Sequence, residues 1–247
     1  MIFLRVALCA SWFLFMSIVE NIARVQEQIA AAARRAGRNP HEITLMAVSK
    51  TFSGERIQEA YQTGLRVFGE NRVQEFAGKA EALRDLAGAK WHLIGHLQSN
   101  KAAKAVELFG AVDSVDSVRL AEKLNSAAQS AGKTLPVLIE INVGGEEAKS
   151  GVAPESDELE AMLERAPVWK NLQIRGLMTV PPYTDDPEGA RPYFRQLRQI
   201  REQIAARRWP AVNMDVLSMG MSHDFEVAIE EGSTCVRVGT AIFGKRK

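Results

Sequence analysis

From Glu42 onward the chain alternates between two hydrophobic periods, and that alternation leaves few folds open. ITLMAVSK is a near-continuous apolar run of strand length, and SGERIQEAYQTG after it carries apolar residues at helical spacing between turn-forming ends. The alternation continues. RVFGE, KWHLIG, AVDSV, LPVLIEINV, LQIRGLMTV, MDVLSM and STCVRVG read as further strands. Between them NRVQEFAGKAEALRDLAG, SNKAAKAVELFG, SVRLAEKLNSAAQSAG and the stretches 159–164, 188–207 and 223–231 read as helices. Strands that are apolar throughout, not alternately polar, are buried on both faces, as parallel strands covered by helices are. Eight such strands in roughly 230 residues predict a single (β/α)8 TIM barrel. The last strand has no helix after it, and SIVENIARVQEQIAAAARRAGRNP, an amphipathic helix ahead of the first strand, could supply the missing one. An open doubly wound sheet is the alternative, but no GxGxxG follows the first strand.

The N-terminus stands apart. MIFLRVALCASWFLFMS holds one arginine and an apolar stretch resembling the hydrophobic region of a signal peptide, yet no small-residue cleavage site follows. The expectation is that residues 1–15 are an extension outside the fold, that translation starts at Met16, and that residues 16–247 are the barrel. With 31 basic against 30 acidic residues and no basic stripe, nucleic acid is not the expected partner, and no membrane association is expected. Two cysteines, Cys9 and Cys235, make no disulfide framework, so a reducing, cytoplasmic setting is expected.

In a barrel of this kind chemistry gathers where strands end: Lys50, Glu70, Asn71, Gly95, His96, Asn142, Met178, Thr179, the segment 218–220 and the segment 237–240. A lysine at a strand end is ordinarily just solvated. At a converging, partly dry rim, burial lowers its pKa and leaves free amine able to attack a carbonyl. The loops after strands seven and eight, LSMGMSHDF and RVGTAIFG, offer Gly220 and Gly239 for close backbone approach to an anion. Ser218, Ser222 and Thr240 add hydroxyl donors. Small residues in loops are also common without any ligand. A carbonyl-seeking lysine and a phosphate seat on one rim together suggest pyridoxal phosphate.

AVSKT, VFGENRVQEF, WHLIGHLQSNK, INVGGEEAKSG, GLMTV, LSMGMSHDFEVAIEEGST and VRVGTAIFG occur in this order. From about residue 17 to the end, the chain resembles the YggS/PROSC family of pyridoxal phosphate homeostasis proteins, whose fold is similar to the N-terminal barrel domain of alanine racemase. The resemblance implies that Lys50 forms the Schiff base, that Ser218, Gly239 and Thr240 hold the phosphate with Gly220 in the same turn, that Arg237 faces the pyridine nitrogen, and that Asn71 lies near the ring. An arginine can only donate to that nitrogen, which disfavours a pyridinium and weakens the cofactor as an electron sink. The resemblance therefore implies a monomeric binder and buffer of pyridoxal phosphate that supplies apo-enzymes, not a robust catalyst; a low-activity amino-acid racemase is the alternative.

Other residues carry blander readings. His92 and His96 have metal-like spacing, but four strand residues at ~3.3 Å each separate them by about 13 Å, too far to share an ion. Glu146 and Glu147 read as solvated, Lys149 as facing substrate or solvent, Trp169 and Trp209 as packing, and Cys235 as a small core residue.

Overall fold

The computed structural model describes residues 17–146 and 150–244. The expectations for residues 1–15, Met16, Glu147 and Lys149 lie outside the described residues. Eight strands, β1 (Thr44–Val48), β2 (Val67–Glu70), β3 (Lys90–Leu93), β4 (Ala111–Val115), β5 (Leu135–Glu140), β6 (Leu172–Met178), β7 (Val212–Met221) and β8 (Cys235–Val238), pair in parallel and in sequence order into a closed barrel. The final pairing joins β1 to β8, with Met46 opposite Arg237. Around the barrel run α1 (Ile18–Arg35), α2 (Gly54–Gln62), α3 (Val73–Leu83), α4 (Ala102–Leu108), α5 (Val118–Ser130), α6 (Asp157–Arg165), α7 (Arg191–Arg207), α8 (Phe225–Glu230) and the one-turn α9 (Thr240–Phe243).

Alternation along each strand sorts side chains into two layers. Ala47, Phe68, Leu93, Val112, Ile139 and Leu177 belong to the apolar layer between sheet and helices. Phe68 stacks on Trp91, and Phe76 of α3 packs on Trp91 and Phe109. The other face looks into the barrel: a Cβ at Gly69 would meet Met46 of β1 and Ile94 just past β3.

The short α9 leaves the ring of helices incomplete, and α1 fills the place as the sequence predicts. A capping box between Ser17 and Glu20 starts α1, and its buried stripe of Ile18, Ile22, Val25 and Ile29 packs against α2, α8 and α9. Asn21 donates to the Ile242 carbonyl at 3.0 Å, and Arg35 pairs with Glu226 and Glu230 of α8.

Most element ends differ from the sequence reading by a few residues, and two of the differences have a clear cause. β7 is longer than MDVLSM, because its ladder with β6 starts at Val212 and its pairing with β8 runs to Met221. β5 ends at Glu140, where Ile141 turns to bridge Val152 of the following loop. Among the described residues no helix is long and apolar enough to cross a membrane.

Candidate functional site

Lys50 stands two residues past β1, half-buried, in a turn held from both sides. The Ser49 amide extends the ladder to the Gly69 carbonyl at 3.0 Å, and the Phe52 amide closes the turn on the Ser49 carbonyl at 3.2 Å. Thr51 takes a left-handed φ of 68°, uncommon for a β-branched residue. Its amide donates to Glu75 Oε1 at 2.5 Å. Lys79, one helical turn further along α3, donates to the Ser49 and Phe52 carbonyls at 3.1 and 3.3 Å and pairs with Glu70 at 2.9 Å. Glu70 is fully buried and also accepts from Ser49 Oγ at 2.6 Å. Burial pushes its carboxyl pKa up, against the opposing pull of Ser49 and Lys79. Glu70 was visible in the sequence as a strand-end residue, but Ser49, Glu75 and Lys79 were missed: a clamp spread over three segments leaves no local pattern.

Arg237 lies inside the barrel with 3% of its surface exposed. Its Nη1 donates to Ser218 Oγ at 2.7 Å and its Nη2 to the Thr179 carbonyl at 2.6 Å. Burial presses its pKa down, while Cys235, Asp113, Glu140 and Asp224 pull it up. Ser218 is therefore a buried neighbour of Arg237 within β7. Ser222, four residues on, is the hydroxyl at the loops, accepting from the Gly239 and Ala241 amides at 3.2 and 3.3 Å and so joining the two loops.

Gly220 has a φ of 94°, and a Cβ there would lie 2.6 Å from that of Ala228 and 2.9 Å from the Phe225 Cα, so only glycine lets β7 pass this close to α8. Gly239 lies against Val48, two residues before Lys50: a Cβ there would meet the Val48 Cβ and carbonyl oxygen at 3.4 Å. Thr240 opens α9 beside it. Asn71 follows β2 directly, and its backbone presses on Gly95, where a Cβ would come within 2.4 Å of the Asn71 carbonyl oxygen.

Glu140 ends β5, buried, and its Oε2 has no hydrogen-bond partner. Burial and then the Asp116 carboxylate push its pKa up to about 7, against Arg237 and His96. It was not singled out in the sequence, although a lone carboxylate in the apolar run LPVLIEINV is conspicuous.

The histidines go to separate acids. His92 Nδ1 lies 3.1 Å from Asp113 and His96 Nδ1 3.1 Å from Asp116, and among the described residues no group of side chains is arranged to hold a metal ion. Burial would lower the His92 pKa, but Asp113 outweighs it and the net shift is upward. His92 and Asp113 line a cavity of about 760 Å³ that reaches Thr44, Lys90 and Thr234 at the strand starts, the mouth opposite Lys50. Cys235 borders it, buried, its thiol pushed up to about 12 by burial, as suits a core residue. Trp169 is buried, and Trp209 lies under the Arg207 guanidinium.

The model of the alanine racemase N-terminal domain matches residues 21–247, nearly all of this closed parallel barrel. A protein of Aquifex aeolicus named pyridoxal phosphate homeostasis protein is 48% identical over 94% of this chain and 100% of its own length. PipY of Synechococcus elongatus, solved with PLP bound, superposes with a TM-score of 0.81 at 38% identity, covering 92% of this chain and all of that one. Alanine racemase of Clostridium difficile shares the fold alone, at 15% identity and a TM-score of 0.68, over 92% of this chain and 57% of its own. The chain belongs to the family of pyridoxal phosphate homeostasis proteins.

Proposed function

We propose that this chain binds pyridoxal phosphate reversibly at the mouth where its strands end, with Lys50 as the amine that bonds the aldehyde, and so serves intracellular homeostasis of the cofactor. The observation that carries this is the convergence of two unlike groups: Gly239 of the phosphate-type loop rests on Val48, two residues from Lys50. The residues fit the group. Gly220, packed on α8, and Gly239, packed on Val48, place the two loops beside Lys50, Ser222 and Thr240 supply hydroxyls there, and a buried oxygen of Glu140 awaits a partner.

Pyridoxal phosphate supplies a reactive aldehyde and an electron-withdrawing ring. The chain decides what becomes of them. The clamp of Lys79, Glu70 and Glu75 fixes the turn that carries Lys50, so the amine approaches from one direction. Arg237, committed as a donor to Ser218 and Thr179, would offer the ring nitrogen a hydrogen bond and no proton acceptor, which weakens the ring as an electron sink. Asn71 and Thr240 would border the ring and the phosphate. That combination favours holding and releasing the cofactor over turnover, and it suits a monomer delivering pyridoxal phosphate to apo-enzymes.

The test is borohydride reduction of protein loaded with pyridoxal phosphate, followed by peptide mapping. The ligand is expected on Lys50, with Lys50→Ala still folded but losing the reducible adduct and its absorbance. Modification of a different lysine, or measurable exchange of an amino-acid α-proton with deuterated solvent at enzyme-like rates, overturns the reading.

A further inference from the structure

Glu140 is the feature this reading leaves without a task. It is 8% exposed, and a buried carboxylate oxygen without a partner is uncommon enough in folded proteins to ask what completes it. The charges that act on it are those of Asp116 after β4, Arg237 from β8 and His96 after β3. Its strand neighbour across the β5–β6 ladder is the uncharged Met178. Val137 and Ile139 of β5 join the apolar layer against the helices, so Glu140, on the alternate face at the end of the strand, looks into the mouth. Near neutral pH a substantial fraction of it is protonated, its pKa being pushed up to about 7 by burial and by Asp116, and a protonated carboxyl both donates and accepts.

On the pyridoxal ring the phosphate arm and the C3 oxygen flank the aldehyde-bearing carbon on opposite sides. If the aldehyde is at Lys50 on β1 and the phosphate at the loops after β7 and β8, the oxygen turns away from those loops, toward the arc of β3 to β5. Glu140 stands on that arc. We propose that Glu140 is the group in this chain that receives the ring-oxygen side of pyridoxal phosphate, exchanging a hydrogen bond with the C3 oxygen and keeping a proton beside it. This rests on the pyridoxal phosphate reading above. No bond is made or broken; one shared proton lies between a carboxyl and a phenolic oxygen, and it sets the ionisation of the bound chromophore.

The experiment uses the full chain, pyridoxal phosphate and its analogue lacking the ring hydroxyl, with Glu140→Gln and Glu140→Leu. Affinity and the absorbance of the bound ligand are followed across neutral pH. In the unaltered protein a spectral transition is expected as the pH is varied. Glu140→Gln, which keeps a donor but does not titrate, is expected to abolish that transition and to hold affinity within about twofold. Glu140→Leu is expected to weaken binding about tenfold. The analogue is expected to bind the unaltered protein about tenfold less tightly than pyridoxal phosphate, with no such gap in Glu140→Leu. Melting curves without ligand check folding, and if the leucine variant does not fold, the glutamine variant decides. Unchanged spectra in Glu140→Gln, or an equal analogue penalty in both backgrounds, overturns the proposal. Borohydride trapping on Lys50 separates the two readings: if trapping fails in the unaltered protein, the cofactor reading fails, and if trapping persists while the variants match it, only the role of Glu140 falls.

Discussion

At the scale of single residues, the turn that carries Lys50 is held by a second lysine. Lys79 ties the Ser49 and Phe52 carbonyls to Glu70, so removing its charge strands a fully buried carboxylate and frees the turn around Lys50. Lys79→Met is expected to lower the affinity for pyridoxal phosphate about tenfold, with adduct formation on Lys50 slowed but not redirected; stopped-flow absorbance checks the rate and peptide mapping the position. Lys50 itself was legible in the sequence because an ammonium group at the end of an apolar run is conspicuous. Its support was not, because Glu70, Glu75 and Lys79 meet it only once β1, β2 and α3 have packed. Glu140 lies between these cases. A carboxylate inside LPVLIEINV stands out, but whether it faces the helices or the mouth depends on strand register that composition does not reveal.

At the scale of elements, the eight strands and the helices between them were readable from period alone, since each must bury one face or both. Ends were less readable: where β5 stops and how far β7 runs depend on what the neighbouring strand offers to pair with. Long-range charge pairing was invisible in the same way. Glu231, just past α8, is nearly buried and contacts Arg191, Arg195 and Arg198 of α7. Burial alone would raise its pKa, but the arginines outweigh it and the net shift is downward. A carboxyl with a depressed folded pKa stabilises above its unfolded value of 4.5 and loses that contribution as pH falls through the folded value. Glu231→Gln is expected to destabilise the protein by about 2 kcal/mol at neutral pH. That deficit should shrink as the pH drops below the unfolded value; denaturant melts at neutral and acid pH check it.

For the whole molecule, α1 is part of the barrel's wall. It starts on its own capping box, presents an isoleucine and valine stripe inward, and covers the place beside β8 and β1 that α9 is too short to cover. Ile22→Ala is expected to cost about 3 kcal/mol in global stability, an effect of core size from a helix that precedes the first strand, read as a lower denaturant midpoint with an unchanged slope.

The wall closes late in another sense. Asn21 and Ile242, whose side-chain-to-carbonyl bond seals α1 to α9, are 221 positions apart, and β1 waits for β8 before its second edge is paired. Joining such distant stretches requires most of the intervening polypeptide to be gathered first, which makes ring closure the slow, entropically opposed event in refolding. Arg237 comes from the last strand, so a nascent chain would present Lys50 well before the arginine proposed to meet the ring nitrogen.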